Sequence, residues 1–428
     1  MSNQKNVQII GGGLCGCLTA YQVAKRHPDY RVDLIEAGDS LVSAFNPIFL
    51  GGRALNNGFH GLELPRSDGL FDFFVHILGL NLRQKINRRL LSIKGHLVPY
   101  DALLSEWPDE LQQNFLVKPP FEADSVEDFW PLVSNSYRAL LELAGTRYSQ
   151  NVDNISGLLI PWFFPADYIL NSADEGAIYR NNVRSKSVTA MYGHPEGHLF
   201  GVVQDAIRAK LEEMGVHLHL STKASFKGQG IEFLFPDDAK IDLSREADFV
   251  FFCASSAIML KDINSGMFDE LTKDPRGLYG ALLEISNPVE IEYFSEIICL
   301  DEGCHSIGRI SSPDGFGHRL DHDGKLIQVE LFVDPALDVN KIEAELPFHI
   351  ARILKLSKAN TIKLLEMKKT NQLYNPNKEL LKHAETEIDN WIEKNCPNLV
   401  TRPNFGPINM AKTWNWSIEF ADLICGKN

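Results

Sequence analysis

Val7, Ile9 and Ile10 form an apolar run too short for a helical stripe, and glycines follow at positions 11, 13 and 16. Leu14, Cys17, Leu18, Tyr21 and Val23 then recur at a roughly helical period, before a second short apolar run, Val32 to Ile35, ends in Glu36. This pattern predicts strand, turn, helix, strand. Further on, Leu70, Phe71, Phe74, Ile77 and Leu78 predict an amphipathic helix over residues 70–91. Residues 121–200 turn aromatic: Phe129, Trp130, Tyr137 and Tyr148 fall on predicted helices, and Pro161 to Pro165 bounds an aromatic loop. A helix from Gly197 to Met214 and strands at Val216–Ser221 and Phe249–Cys253 return to the opening style. Four strands then follow without helices, at Tyr279–Ile285, Val289–Cys299, His305–Ser311 and Leu326–Val333, with Asp323-Gly324 as a hairpin turn. Such a run predicts an antiparallel sheet. Helices come next at Asn340–Ser357, broken by Pro347, and Asn377–Lys394, with Leu380, Leu381, Ala384, Ile388 and Trp391 on one face. A last helix starts near Trp416, capped by Thr413 or Asn415.

The expected fold class is α/β: a Rossmann-like domain, a parallel sheet with helices, joined to an α+β domain with an antiparallel sheet. At 428 residues the chain exceeds one compact core, so two domains are the default.

The opening turn carries the clearest chemistry. In the G-x-G-x-x-G spacing, Gly11 permits the tight turn, Gly13 lets a pyrophosphate approach the backbone, and Gly16 brings the helix close to the sheet. The helix start offers N–H groups and a positive dipole end to phosphate. Glu36, twenty residues beyond Gly16, suits a ribose 2′-hydroxyl and repels a 2′-phosphate.

Charge and cysteines narrow the rest. A net charge of −14 argues against nucleic acid or an anionic membrane as main partner. Arg83, Lys85, Arg88, Arg89 and Lys94 run against that trend and read as a solvated helix face, with an anion-docking surface as the minor alternative. Met1 to Asn6 shows no signal peptide, no apolar run spans a bilayer, and seven scattered cysteines without C-x-x-C fit a reducing cytoplasm. Cys15 and Cys17 read as small residues where space is short. His217 and His219 share a strand face, and His318 and His322 flank a turn; neither pair has a third metal ligand in view.

VQIIGGGLCG...VDLIEAG, the Gly51-Gly52-Arg53 turn, the Gly58-Phe59-His60-Gly61 turn, the mid-chain strand-helix return and the closing glycine-then-helix segment together resemble a known superfamily. It is that of the FAD-dependent amine oxidases, protoporphyrinogen oxidases and UDP-galactopyranose mutases. The resemblance implies FAD as cofactor, with Gly11, Gly13, Leu14, Cys15 and Gly16 at the pyrophosphate and Glu36 and Ala37 at the adenosine ribose. It implies Gly51, Gly52 and Arg53 along the flavin, Ala224 at the adenine, and Cys253 and Ala254, after the Phe249–Cys253 strand, in contact with the cofactor. Gly406, Asn415, Trp416 and Ser417 would lie at the last helix, whose start would face the flavin N1–C2=O edge. The sequence departs from the family in Pro403-Asn404-Phe405-Gly406, which lacks the usual arginine, and in a long interval from Glu36 to Gly51.

On this resemblance residues 1–105, 191–265 and 396–428 form the FAD-binding domain. Residues 106–190 form a helical, aromatic-rich part of the substrate domain, and 266–395 its antiparallel sheet and helices. The implied activity is hydride abstraction from a small organic substrate at the domain junction, with His60 as catalytic candidate. His60 reads equally as an anchor for its loop. The rivals are a redox-neutral mutase on a nucleotide sugar, with Arg180, Arg184 and Arg309 for its pyrophosphate, a non-catalytic flavin-binding partner, and, remotely, an NAD enzyme. Oligomeric state is not readable.

Overall fold

The computed structural model describes residues 4–55, 62–65, 69–84, 89–93, 95–99, 189–193, 201–227, 230–235, 247–272, 277–286, 294, 296–299, 307–312, 325–357, 361–372, 377–402 and 410–425. The chain runs β1 (Asn6–Ile10), α1 (Leu14–Arg26), β2 (Arg31–Ile35), β3 (Ile48–Leu50), β4 (Arg53–Leu55) and β5 (Leu62–Pro65). A helical turn α2 (Leu70–Asp72) widens into a π-helical turn, Phe73–Ile77, before β6 (Arg83–Gln84), β7 (Arg89–Ile93), β8 (His96–Pro99) and β9 (Thr189–Gly193). Then come α3 (Val202–Glu213), β10 (His217–His219), β11 (Lys223–Lys227), β12 (Gly230–Leu234), β13 (Phe249–Phe252), α4 (Ser256–Asp262) and α5 (Gly266–Thr272). The rest is β14 (Gly277–Ser286), β15 (Glu296–Cys299), β16 (Ile307–Ser311), β17 (Lys325–Val333), α6 (Val339–Ile353), β18 (Thr361–Gln372), α7 (Lys378–Asn395), β19 (Leu399–Thr401) and α8 (Met410–Cys425).

Five parallel strands in the order β10-β2-β1-β13-β19 make the first sheet. Strands covered on both faces are largely apolar, and every residue of β13, Phe-Val-Phe-Phe, is buried. On one face Val7, Ile9, Leu34 and Phe251 pack against α1, α3 and α8. On the other, Ile10, Ile35, Val250 and Phe252 meet the β11–β12 hairpin, α4, α5 and α7. The second sheet has seven strands, β18-β14-β17-β16-β15-β7-β8, antiparallel except where β7 joins β15. Its apolar face, with Ala281, Leu283, Ile310, Ile327 and Val329, is covered by Leu346, Ile350 and Ile353 of α6. The β3–β4 hairpin lies on the opposite face, where Leu50 and Leu55 meet Leu282 and Leu326. A three-stranded sheet, β5-β9-β6, completes the strands among the described residues. The α/β plus antiparallel-sheet class expected from sequence is the observed one.

Several elements differ from the sequence reading. The helix expected over 70–91 stops at Leu78, because Gly79 adopts φ 66° and the chain leaves for β6 and β7. Arg83 and Arg89 therefore sit on strands, not on a helix face. Pro347 lies within a continuous α6; its missing N–H affects a half-buried stretch, where water can serve the freed carbonyl. Strand β18 was not anticipated. The last helix begins by Met410 rather than near Trp416, so Thr413 and Asn415 lie inside it instead of capping it. The aromatic segment, except for strand residues 189–193, lies outside the described residues, as do Arg180, Arg184, His318 and His322. Among the described residues no helix is long and apolar enough to cross a membrane.

Candidate functional site

The carboxyl ends of β1, β2 and β13 meet at the glycine turn. Gly11, at φ 105°, donates its N–H to Ile35 O at 2.8 Å, and a Cβ there would stand 2.8 Å from Ala254 N. Cys253 N–H donates to Ile10 O at 2.8 Å, which brings Cys253 and Ala254 beside Gly11. At Gly16 a Cβ would stand 1.8 Å from Gly11 O, so the first turn of α1 presses on the end of β1. At Gly13 an added Cβ would meet nothing within 4 Å. That opening lies over the start of α1, which has no side-chain cap and no acidic residue in its first turn. The leading N–H groups of a helix have no intrahelical partner, and a positive dipole end aligns with them.

Glu36 closes the other side. Its Oε2 accepts from Gly12 N–H at 2.6 Å and its Oε1 from Gly38 N–H at 2.7 Å. Each oxygen has a second lone pair for a hydroxyl donor. Ala37 beside it is exposed. The Glu36 backbone takes part as well: its N–H donates to His219 O and its carbonyl accepts from Thr222 N–H. Two residues on, the buried Ala224 packs with Ile10, Ile35 and Phe252.

Three thiols line the floor. Cys17 donates to Gly12 O at 3.3 Å, and Cys253 lies 3.8 Å from Thr19 Oγ1. Burial, then the charges of Glu36 and Cys15, push the Cys17 thiol far up. A hydrogen bond with Cys15 and burial do the same for Cys253. Both stay protonated near neutral pH and serve as small packing groups rather than nucleophiles.

The remaining expected positions sit elsewhere. Gly51 and Gly52, at φ 55° and 73°, are the two turn residues of the β3–β4 hairpin, a turn that favours glycine. Gly51 N–H donates to Glu366 Oε2 at 2.6 Å, which ties the turn to β18 of the second sheet; Arg53 opens β4. Asn415, Trp416 and Ser417 lie beyond the first turn of α8, and Ser417 Oγ bonds back to Trp414 O at 2.6 Å. Their N–H groups are spent on the helix, so the dipole end expected there belongs to the stretch around Met410. His60 and Gly406 lie outside the described residues. His219 is paired with Asp33 at 2.7 Å and His217 is exposed; among the described residues no three His, Cys, Asp or Glu gather as a metal site.

Gly12, Val42 and Gln204 were missed. A Cβ on Gly12 would stand 2.8 Å from both Glu36 and Leu41 side chains. Val42 donates to Gly12 O, and Gln204 bonds Leu41 O. The tripled glycine was a signal for the first; nothing local marks the other two.

Residues 9–77 match the family model of an NAD(P)-binding Rossmann-like domain. Reduced UDP-galactopyranose mutase superposes with a TM-score of 0.67 at 11% identity, over 99% of this chain and 96% of that one. A protein assigned as a protoporphyrinogen oxidase, from an Exiguobacterium species, gives 0.61 at 15% identity over 100% of both chains. The fold is the one these solved structures share. Putrescine oxidase with bound putrescine gives 0.58 at 12% identity over 99% of each chain. Among curated protein sequences none matches significantly.

Proposed function

We propose that the chain is an FAD-dependent oxidoreductase acting on a small organic substrate at the junction of its FAD-binding and substrate domains. The observation that carries this is the opening at Gly13 over the uncapped start of α1, with the Glu36 carboxylate beside it. These groups fit the cofactor: N–H donors for a pyrophosphate, a carboxylate for ribose hydroxyls, and no side chain in the way.

The chemistry a bound FAD supplies is acceptance of a hydride from a substrate C–H or C–N bond. The chain's own residues bind and orient. Gly13, Leu14, Cys15 and Gly16 would hold the pyrophosphate through backbone N–H groups, and Glu36 with Ala37 the ribose. Ala224, Cys253 and Ala254 would wall the nucleotide side. Gly51, Gly52, Arg53, Gly406 and Asn415 to Ser417 remain candidates for the flavin side, and His60 for substrate or flavin contact. The proposed division is an FAD-binding domain from residues 1–105, 191–265 and 396–428 with the substrate domain between, except that β7 and β8 join the second sheet and α5 and α7 pack on the parallel one.

The nucleotide-sugar mutase reading needs arginines for a second pyrophosphate. Arg309 does not supply one: its guanidinium is bound by Glu330 and by Glu296 at 3.3 Å. Burial opposes its charge, but Glu330 and Glu296 outweigh burial and keep it protonated.

The test is the visible spectrum of protein purified with FAD present, then anaerobic addition of amine and other C–H donors. Flavin bands that bleach with a donor are expected. Protein that takes up no flavin overturns the cofactor assignment. Flavin that stays oxidised with every donor, while reduced protein interconverts a UDP-hexose, replaces the oxidoreductase with a mutase.

A further inference from the structure

Gly12 is held on two sides. Its N–H donates to Glu36 Oε2 at 2.6 Å, and its carbonyl accepts from Val42 N–H at 2.7 Å and from Cys17 Sγ at 3.3 Å. A trans peptide sets one residue's C=O opposite the next residue's N–H. Pinning the Gly12 carbonyl toward Val42 therefore turns the Gly13 N–H to the other side, away from the segment that carries Val42.

Val42 makes this bond at φ 51°, ψ 50°, fully buried. A β-branched residue in the left-handed region is strained, and such a conformation persists only where its surroundings fix it. The fixing group comes from a distant part of the chain, 158 residues beyond Asn46. Gln204, in the first turn of α3, donates from Nε2 to Asn46 Oδ1 at 2.7 Å and to Leu41 O at 3.0 Å. Its Oε1 accepts from Gly201 N–H at 3.0 Å. One amide thus grips both ends of the Leu41–Asn46 segment and the start of its own helix, with both N–H groups and the oxygen engaged.

We propose that Gln204 is a positioning residue for the dinucleotide site. It fixes the Leu41–Asn46 segment so that Val42 holds the Gly12 carbonyl, and so presets the Gly13 amide for a pyrophosphate. The inference rests on the dinucleotide reading above and adds to it a group outside the glycine turn on which affinity depends.

Gln204→Glu separates positioning from plain stability. A glutamate keeps an acceptor for Gly201 N–H and suits the third helical position, but sets a carboxylate against two acceptors at Leu41 and Asn46. Binding of FAD, ADP and adenosine to apo-protein is measured by calorimetry, and melting temperature without ligand by circular dichroism. The expected result is FAD and ADP affinity lower by about tenfold, adenosine affinity unchanged, and an apo melting temperature near wild type. Gln204→Ala should weaken FAD and ADP similarly and also lower the melting temperature, through the lost cap. Wild-type affinity for FAD and ADP in Gln204→Glu overturns the inference and leaves the cofactor assignment standing. Equal losses for ADP and adenosine with a large drop in melting temperature make Gln204 a structural anchor and also overturn it. A wild-type protein that binds neither FAD nor ADP removes both readings together.

Discussion

At Gly16 a single methyl group meets a backbone carbonyl, and at Gly13 it meets open space. Gly16→Ala is therefore expected to destabilise the apo-protein by about 1–3 kcal/mol or more, as overpacking against rigid backbone does. Gly13→Ala should melt like wild type yet bind FAD more weakly, because its methyl fills the space the phosphate needs. Equal melting temperatures for the two apo variants would contradict this division of roles. Glu36→Ala removes the acceptor for two backbone N–H groups and, on the proposed cofactor reading, a charged partner for the ribose; FAD binding should weaken by about 1.5–3 kcal/mol, and wild-type flavin retention after dialysis would exclude the ribose role. Asp33 gives a pH dependence. Burial alone would raise its pKa, but hydrogen bonds from His219 and Arg31 outweigh burial and hold it below the ordinary carboxylate value. A carboxylate lowered in the folded state stabilises it above the unfolded pKa and loses that stabilisation as pH falls through the folded one. Stability should therefore decline below about pH 4. Asp33→Asn should flatten that decline and cost about 1–3 kcal/mol at neutral pH, measured by denaturant titration across pH.

Among the elements, β1, α1 and β2 were legible because three local signals agree there: short apolar runs, glycine spacing and a helical period. Other elements were hidden for identifiable reasons. Strand β18 half-buries Ile362, Leu364 and Met367 against the core under α6, and register shifts in its pairing with β14 break the alternation that would mark a strand from Thr361 to Gln372. The helix over 70–91 failed on Gly79, one residue whose φ the apolar pattern does not show. Of the site, the glycine turn and Glu36 were legible; the grip of Gln204 on Leu41 was not, because it depends on a contact 163 residues apart. One element end invites improvement. Lys355, exposed and just past α6, adopts φ 54°. A non-glycine residue there costs about 1–2 kcal/mol, partly offset by the entropy glycine loses on folding. Lys355→Gly should gain about 0.5–1 kcal/mol, read as a higher denaturation midpoint with an unchanged slope.

Across the whole molecule, the core on one face of the parallel sheet is closed by the chain's last described helix. Trp414, Phe420, Ala421 and Ile424 of α8 are buried in the core that holds Leu18 and Tyr21 of α1, and the Phe420 and Phe251 rings stand 4.9 Å apart. Deleting Trp414 to Asn428 should give colourless or insoluble protein; a soluble, yellow product with an unaltered flavin spectrum would show that the site is complete without α8.

The strand order β10-β2-β1-β13-β19 also sets a timetable. β1 has β2 within reach almost as soon as it is made, but its other neighbour, β13, starts at Phe249. At about 5–20 residues per second on the ribosome, the growing chain carries a strand that is buried throughout in the finished fold, with one edge open, for roughly 10–50 s. A bare edge of that kind is a template for pairing with other chains. Yield of this protein in cells should therefore depend on what shelters that edge during synthesis, and on translation speed between residues 10 and 249, more than on the stability of the finished fold.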